Sequence, residues 1–178
     1  GADIVCFSGD KLMGGPQSGI IAGKARHVQA LKKHPFFRAL RCDKLVLSAL
    51  QSTAERYLHN QAGTLPLQRM LTADLASIQR RTRKVAKALK GMPAKICVTP
   101  GHSQVGGGAL PQAQLPTVTL DIVPDDIRLN DFAARLRRAT PPVIGAISGR
   151  RFRLDLRTIF PDQEKPLMNS IRQSLFSK

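Results

Sequence analysis

The stretch Val5–Lys24, VCFSGDKLMGGPQSGIIAGK, places Lys11 between a short apolar run and a glycine-rich loop, and a second apolar run follows at once. Short apolar runs bounded by turn residues are typical of strands. IVCF at residues 4–7 therefore predicts one strand, and GIIAG at residues 19–23 predicts a second, buried one. The segment is expected to form a strand, a loop that presents a lysine, and another strand.

The loop fits neither of the two common nucleotide-binding motifs. A P-loop requires G-x-x-x-x-G-K-[ST], but Ala25 follows Lys24 and Ser18 stands at the first glycine position. The dinucleotide fingerprint G-x-G-x-x-G is also absent. A lysine beside a buried strand would be desolvated, which favours the uncharged amine that forms an imine with a carbonyl group. An ordinary surface lysine in a turn is the more frequent alternative.

Composition sets broad limits on the kind of protein. The chain has 178 residues, 42% of them hydrophobic, which suits one domain or a domain with part of another. No apolar run approaches the roughly 20 residues of a membrane-spanning helix, so we expect a soluble, cytoplasmic protein without a membrane partner. Cys6, Cys42 and Cys97 are widely spaced, which predicts reduced core thiols. The four histidines lack ligand spacing, which argues against a metal site.

The net charge of +16 is the strongest bulk signal, and residues 11–120 hold 17 Lys or Arg against three acids. Such an excess attracts a polyanion, and nucleic acid is the natural candidate. With one Tyr, seven Phe and no Trp, few rings are available to stack on bases, so contacts to backbone and shape are expected. A solvated basic surface without a partner is the alternative.

The rest of the chain predicts helices followed by an α+β part, with a boundary near residues 64–72. Helices are expected over 24–33, ending before Pro35, and over 36–59. Strands KICVT and PTVTLDI, a helix over 129–138 and a hairpin through Gly149-Arg150 follow. A closing helix is expected from about Gln163, with Asp162 as N-cap and a buried face formed by Leu167, Ile171 and Leu175.

A long helix is also predicted up to about Leu89. Its apolar positions recur at spacings of three and four, which indicates one buried face: Leu71, Leu75, Ile78, Thr82, Val85 and Leu89. The opposite face carries six cations: Arg80, Arg81, Arg83, Lys84, Lys87 and Lys90. They either solvate the helix or contact phosphate, and solvation is the favoured interpretation.

The segment around Lys11 and several later segments resemble a known family. FSGDKLMGGPQSGIIAGK resembles the pyridoxal phosphate lysine segment of the bacterial selenocysteine synthases, the L-seryl-tRNA(Sec) selenium transferases. The resemblance continues in HPFFRALRCDKLVLSAL, SQVGGGALP and PPVIGAISGRRFRLDLRT. It covers nearly the whole chain, which looks like the C-terminal portion of the longer family members. Where members commonly read PPVIGRI, this chain has Ala146.

The resemblance implies an α/β fold, the aspartate-aminotransferase-like fold type I of pyridoxal phosphate enzymes. Residues 1–70 would form the end of the large cofactor-binding domain, and residues 71–178 an α+β small C-terminal domain. Lys11 would bind pyridoxal 5'-phosphate as an imine, and Ser8 would supply a hydroxyl to its phosphate. In turns, such hydroxyls more often cap the backbone.

The resemblance also implies the reaction and its partners. The family exchanges the serine hydroxyl of L-seryl-tRNA(Sec) for selenium from selenophosphate through an aminoacrylyl intermediate, with the cofactor as electron sink and the lysine as proton shuttle. Arg38 and Arg41, expected on one helical face, match an arginine pair associated with the donor anion. Pairing with acids such as Asp43 is the alternative for these arginines. The family forms dimers joined into larger rings.

Two alternative functions remain open at this stage. One is a basic tRNA-binding fragment without chemistry, and the other is a different fold type I pyridoxal phosphate enzyme acting on a small amino acid. Family members place the acid that pairs with the pyridine nitrogen before the lysine segment, outside these 178 residues. We therefore expect the chain to be a fragment that needs further polypeptide to act.

Overall fold

A computed structural model of the chain describes residues 1–106, 108–110 and 112–176. Two compact units emerge from it. The first comprises Gly1–Thr72 with Gly106–Ala109, and the second Ala73–Val105 with Leu110–Lys178, apart from the residues not described. Among the described residues, no helix combines the length and apolar character needed to cross a bilayer.

The first unit is a two-stranded ribbon followed by four helices. Its elements are β1 (Ile4–Ser8), β2 (Gly19–Gly23), α1 (Ala25–Lys33), α2 (Pro35–Leu40), α3 (Lys44–Leu58) and α4 (Pro66–Leu71). The strands β1 and β2 pair antiparallel, with Ile4 opposite Gly23 and Ser8 opposite Gly19. The expected strand–loop–strand order is therefore confirmed.

The expected burial of this ribbon is wrong for the described chain. Val5, Phe7 and Ile21 are 47%, 48% and 47% exposed, and among the described residues no third strand joins the ribbon. The helices that follow are similarly uncovered. Neither α1 nor α2 contains a buried residue, and α3 buries only Thr53.

The expected single helix over residues 36–59 is two helices. The helix α2 ends at Leu40, and Arg41 has extended backbone with φ −66° and ψ 129°. Asp43 then begins α3, since its Oδ1 accepts a hydrogen bond from the backbone N–H of Val46 at 2.8 Å. An aspartate at this position satisfies a backbone donor that the first helical turn leaves free. Arg38 and Arg41 consequently do not share a helical face.

The second unit is a four-stranded antiparallel sheet with three helices. Its elements are α5 (Leu75–Ala88), β3 (Ala94–Gln104), β4 (Gln114–Pro124), α6 (Leu129–Arg138), β5 (Ala146–Ser148), β6 (Arg151–Asp155) and α7 (Glu164–Phe176). The strands lie in the order β3-β4-β6-β5. The predicted helix over 129–138 and the hairpin through Gly149-Arg150 are confirmed.

The core of the second unit lies between one sheet face and the three helices. Phe132 of α6 meets Phe152 of β6 edge-to-face, with ring centroids 5.4 Å apart. The other buried apolar residues of this core come from α5, the strands and α7, and include Ile78, Val85, Leu89, Leu120, Ile122, Leu136, Leu154, Leu167, Ile171 and Leu175. The buried face predicted for the closing helix is confirmed.

Three sequence-based details of the second unit require correction. The helix α5 starts only at Leu75, because Asp74 caps it by accepting from the N–H of Ser77 at 2.9 Å. Leu71 therefore precedes this helix, and Leu75 is 41% exposed. Asp162 is not an N-cap, because it lies within a 3₁₀ turn, Pro161–Gln163, that leads directly into α7.

The three cysteines are free but do not belong to the core. Cys6 is exposed, and Cys42 and Cys97 are half-buried. Cys6 lies on the uncovered ribbon, and Cys97 lies on the sheet face that the helices do not cover. The expectation of reduced core thiols is thus wrong as to their burial.

Candidate functional site

The loop that carries Lys11 is closed on itself by backbone hydrogen bonds. The N–H of Gly9 donates to the carbonyl of Ser18 at 2.9 Å, and the N–H of Gly15 donates to the carbonyl of Gly9 at 2.8 Å. Gly9 and Ser18 are buried, and a side chain at position 9 would come within 2.8 Å of the Pro16 carbonyl oxygen. Only glycine fits there, so the loop has a defined path.

Two helices of the same unit hold the residues that follow Lys11. The Tyr57 hydroxyl on α3 donates to the carbonyl of Met13, and Gln68 Nε2 on α4 donates to the carbonyl of Leu12, both at 2.8 Å. Gln68 also donates to the Tyr57 hydroxyl at 2.8 Å. These contacts hold the loop backbone at Leu12 and Met13, and they do not involve the side chain of Lys11.

Lys11 itself is exposed, in the turn directly after β1. Its carbonyl accepts from the N–H of Gly14 at 3.0 Å. Within the described residues, its ammonium group makes no ion pair or hydrogen bond. The expectation of a desolvated amine is not met, because β1 is itself uncovered and brings no apolar surface over the side chain.

Ser8 is the last residue of β1 and lies opposite Gly19, also exposed. Arg38 lies on α2 and Arg41 at its C-terminal end, both exposed. In the part of the chain that the structure describes, no hydrogen bond or ion pair joins either arginine to Lys11 or Ser8, or to Asp43. The structure therefore places Ser8 at the end of β1, Lys11 on the loop that follows, and the two arginines on another segment.

Sequence reasoning missed the residues that support the loop. Tyr57 lies 44 residues from Met13, and Gln68 lies 56 residues from Leu12. Contacts over such distances leave no local pattern in the sequence. The one available signal is that Tyr57 is the only tyrosine of the chain.

The basic face of α5 is partly structural. Arg81 Nε pairs with Glu164 Oε1 at 2.6 Å, and the same guanidinium donates to the carbonyls of Leu156 and Ile159. Arg83, Lys84, Lys87 and Lys90 are exposed. The described residues contain no group of three or more His, Cys, Asp or Glu that could hold a metal ion.

Comparison with solved structures bears on the class of fold. The chain resembles a D-glucosaminate-6-phosphate ammonia-lyase with a TM-score of 0.63 and 20% identity, over 98% of this chain and 44% of that one. This likeness confirms the expected α/β fold class.

Comparison of sequences identifies the family. A family model of L-seryl-tRNA selenium transferase matches residues 1–160, and the chain belongs to that family. It is 43% identical to an L-seryl-tRNA(Sec) selenium transferase of Geobacter sulfurreducens and 39% identical to one of Aquifex aeolicus. These matches cover 97% and 98% of this chain but 38% and 39% of the relatives. The chain thus spans well under half the length of the curated relatives it matches.

Proposed function

We propose that this chain carries the cofactor lysine and the C-terminal part of a selenium transferase that acts on L-seryl-tRNA(Sec) with selenophosphate as donor. The observation that carries the proposal is Lys11, an exposed amine on a loop fixed from two helices, within a chain that belongs to the family. We also propose that the complete protein forms dimers joined into larger rings and acts in the cytoplasm.

The residues present fit pyridoxal 5'-phosphate. The cofactor requires a primary amine for its aldehyde and donors for its phosphate. Lys11 offers the amine and Ser8, three residues earlier, offers a hydroxyl, and neither side chain is engaged by another described residue. When bound, the cofactor would act as an electron sink for loss of the serine α-proton and β-hydroxyl.

The chain's own residues would have distinct tasks in this reaction. The Lys11 amine would hold the cofactor and, once released, move the proton at the serine α-carbon. The Ser8 hydroxyl would orient the cofactor phosphate. Arg38 and Arg41 would hold the selenophosphate oxyanion, which suits guanidinium groups with several fixed donors. Overall, the serine hydroxyl is replaced by a selenol and phosphate is released.

The competing function is a basic tRNA-binding fragment without chemistry, which the net charge of +16 favours. It predicts tRNA binding that is unchanged in Lys11→Ala, and no specific cofactor attachment. Another pyridoxal phosphate enzyme of the same fold is separated from the proposal by assays with free serine, cysteine and selenophosphate.

The deciding experiment is cofactor trapping on the intact chain. The protein is mixed with pyridoxal phosphate, its visible absorbance is recorded, and borohydride reduction is followed by peptide mapping. We expect the reduced cofactor on Lys11, lost in Lys11→Ala and retained in Lys24→Ala. Lys24 is a suitable control because it is an exposed lysine near the same ribbon, paired with Asp3.

Labelling spread over many lysines, or an equal loss in both variants, would overturn the cofactor assignment. The tRNA-binding function would then replace it.

A further inference from the structure

In the second unit, the sheet face that the helices do not cover carries a cavity lined by charged side chains. Along β4, side chains alternate, so Leu120 and Ile122 enter the core while Asp121 points to the opposite face. A cavity of about 270 Å³ lies there. The lining residues used below are Lys95, Cys97, Asp121, Gly149, Arg150 and Arg151.

One buried carboxylate organises the cations of this cavity. Asp121 is 1% exposed and lies 3.3 Å from Arg151 Nη1 and 3.3 Å from Arg153 Nε. Thr119 Oγ1 donates to its Oδ1 at 2.8 Å. A buried carboxylate with two arginines holds both guanidinium groups in place, and it neutralises only one of them.

The cavity therefore has an excess of positive charge and of hydrogen-bond donors. Three cations, Lys95, Arg150 and Arg151, line it together with the single carboxylate of Asp121. Arg153, which is not among the lining residues, pairs with the same carboxylate, its Nε lying 3.3 Å from Asp121. Lys95 and Arg150 are exposed at the rim. An anion with several oxygens would satisfy these donors.

Arg150 occupies a backbone position that the turn itself does not favour for arginine. Gly149 and Arg150 join β5 to β6 with φ of 57° and 59°. Two-residue turns with both φ positive prefer Gly, Asn or Asp, because other side chains clash with the backbone in the left-handed region. Turn chemistry therefore gives no reason for an arginine here, whereas its place on the cavity rim does.

We propose that this cavity binds a phosphate of an RNA backbone. The inference deepens the proposed function and rests on it, because the family's substrate is a tRNA and this would be a second contact for that RNA, on the second unit. A polymer suits the exposed rim formed by Lys95 and Arg150, and the chain's charge of +16 would add long-range attraction.

Cys97 supplies a reporter within the same cavity. Its alkylation by N-ethylmaleimide is followed peptide by peptide in the intact chain, with and without unfractionated tRNA. Cys6, exposed on the ribbon of the other unit, is the internal control. We expect tRNA to slow the alkylation of Cys97 several-fold, and by clearly more than that of Cys6.

Two matched double variants test the charge requirement. Lys95→Gln with Arg150→Asn removes two rim cations, and Asn tolerates the turn conformation. Arg83→Gln with Lys87→Gln removes two exposed cations from α5, on the helix side of the sheet. We expect the first variant to lose the protection of Cys97 by tRNA. The slope of the logarithm of the tRNA binding constant against the logarithm of salt concentration should become shallower by about one for each phosphate contact removed. The control variant should retain the protection of Cys97. Neither double variant should lower the melting temperature by more than a few degrees relative to the unsubstituted chain.

The outcomes separate this inference from its alternatives. Equal weakening in both double variants would overturn it in favour of general electrostatic attraction. Polyglutamate that protects Cys97 at lower concentration than tRNA would assign the cavity to an acidic peptide. Inorganic phosphate is compared with tRNA at an equal concentration of phosphate groups. Equal protection of Cys97 by inorganic phosphate would assign the cavity to a small phosphate ligand.

Cofactor trapping on Lys11 is measured on the same samples. In the unsubstituted chain, failure of tRNA to protect Cys97 together with intact Lys11 labelling would overturn only the RNA contact. Protection of Cys97 without specific labelling of Lys11 would overturn only the cofactor assignment.

Discussion

Two cations of this chain show how strongly surroundings decide the role of a side chain. Lys11 is exposed on its loop, and its ammonium group has no partner among the described residues. Arg81 has a side chain that is 18% exposed, and it binds Glu164, whose side chain is 9% exposed. Lys11 lies in a glycine-rich loop between two strands, and Arg81 lies on the basic helix α5. Sequence pattern alone does not separate them, because the partner of Arg81 lies 83 residues away.

The Arg81–Glu164 pair leads to a stability prediction. Glu164→Leu leaves a largely buried guanidinium without its carboxylate, and we expect the unfolding free energy of the second unit to fall by about 3 kcal/mol. Urea unfolding followed by circular dichroism measures this, since the chain has no Trp. The double variant Arg81→Met with Glu164→Leu should recover much of the loss, because no charge is then stranded.

Lys84→Met is the control for this pair. Its Nζ lies 4.0 Å from the same carboxylate, but its side chain is 75% exposed, so the change should stay within about 1 kcal/mol. A double variant as unstable as the sum of its single variants would contradict the assigned role of the pair.

At the scale of elements, the sequence predicted those whose signals are local. The helix over residues 129–138 has a regular apolar face, and the hairpin through Gly149-Arg150 has a two-residue turn. The helix break at residues 41–43 was missed because the apolar pattern continues across it, although Asp43 is a good N-cap. The exposure of the ribbon was also missed, because burial depends on which elements cover a strand rather than on its own residues.

The candidate site was predictable to a similar extent. Lys11 and Ser8 were predicted through family motifs, and in the structure Ser8 ends β1 while Lys11 lies on the loop that follows. The prediction that Arg38 and Arg41 share a helical face was wrong, because the helix α2 ends at Leu40. Tyr57 and Gln68, which fix the loop, were not predictable because their contacts are long-range.

The break before α3 gives a prediction for that element. Asp43→Ala removes the acceptor of the Val46 N–H, and we expect it to destabilise the helix by about 1 kcal/mol. Hydrogen exchange of the first-turn amides, residues 44–47, should accelerate correspondingly. Asp43→Asn keeps a side-chain oxygen and should retain most of the protection. Unchanged exchange in Asp43→Ala would show that the cap does not hold this end of the helix.

At the scale of the whole molecule, the two units differ in what holds them together. The second unit has a continuous apolar core between sheet and helices. In the first unit, α1 and α2 bury no residue, and α3 buries only Thr53. Burial of apolar surface is the main favourable term in folding, so local stability should differ sharply between the units.

Hydrogen exchange of the intact chain tests this difference. Peptides from α1 and α2 should exchange much faster than peptides from β4 and the middle of α5, because opening them exposes little additional apolar surface. Mass spectrometry of exchanged peptides, compared at equal times, measures the contrast. Protection of α1 and α2 equal to that of β4 would contradict it.

The uncovered apolar side chains of the first unit have a consequence for the chain as a colloid. Phe36, Leu40, Leu45 and Leu58 are 68%, 77%, 81% and 79% exposed, on a molecule of net charge +16. Mutual repulsion opposes contact between copies in dilute buffer. At 0.15 M salt the repulsion reaches only about 8 Å, and adhesion between apolar faces is then opposed only at short range. The chain is thus a cationic amphiphile, whose dispersal depends on the ionic strength around it.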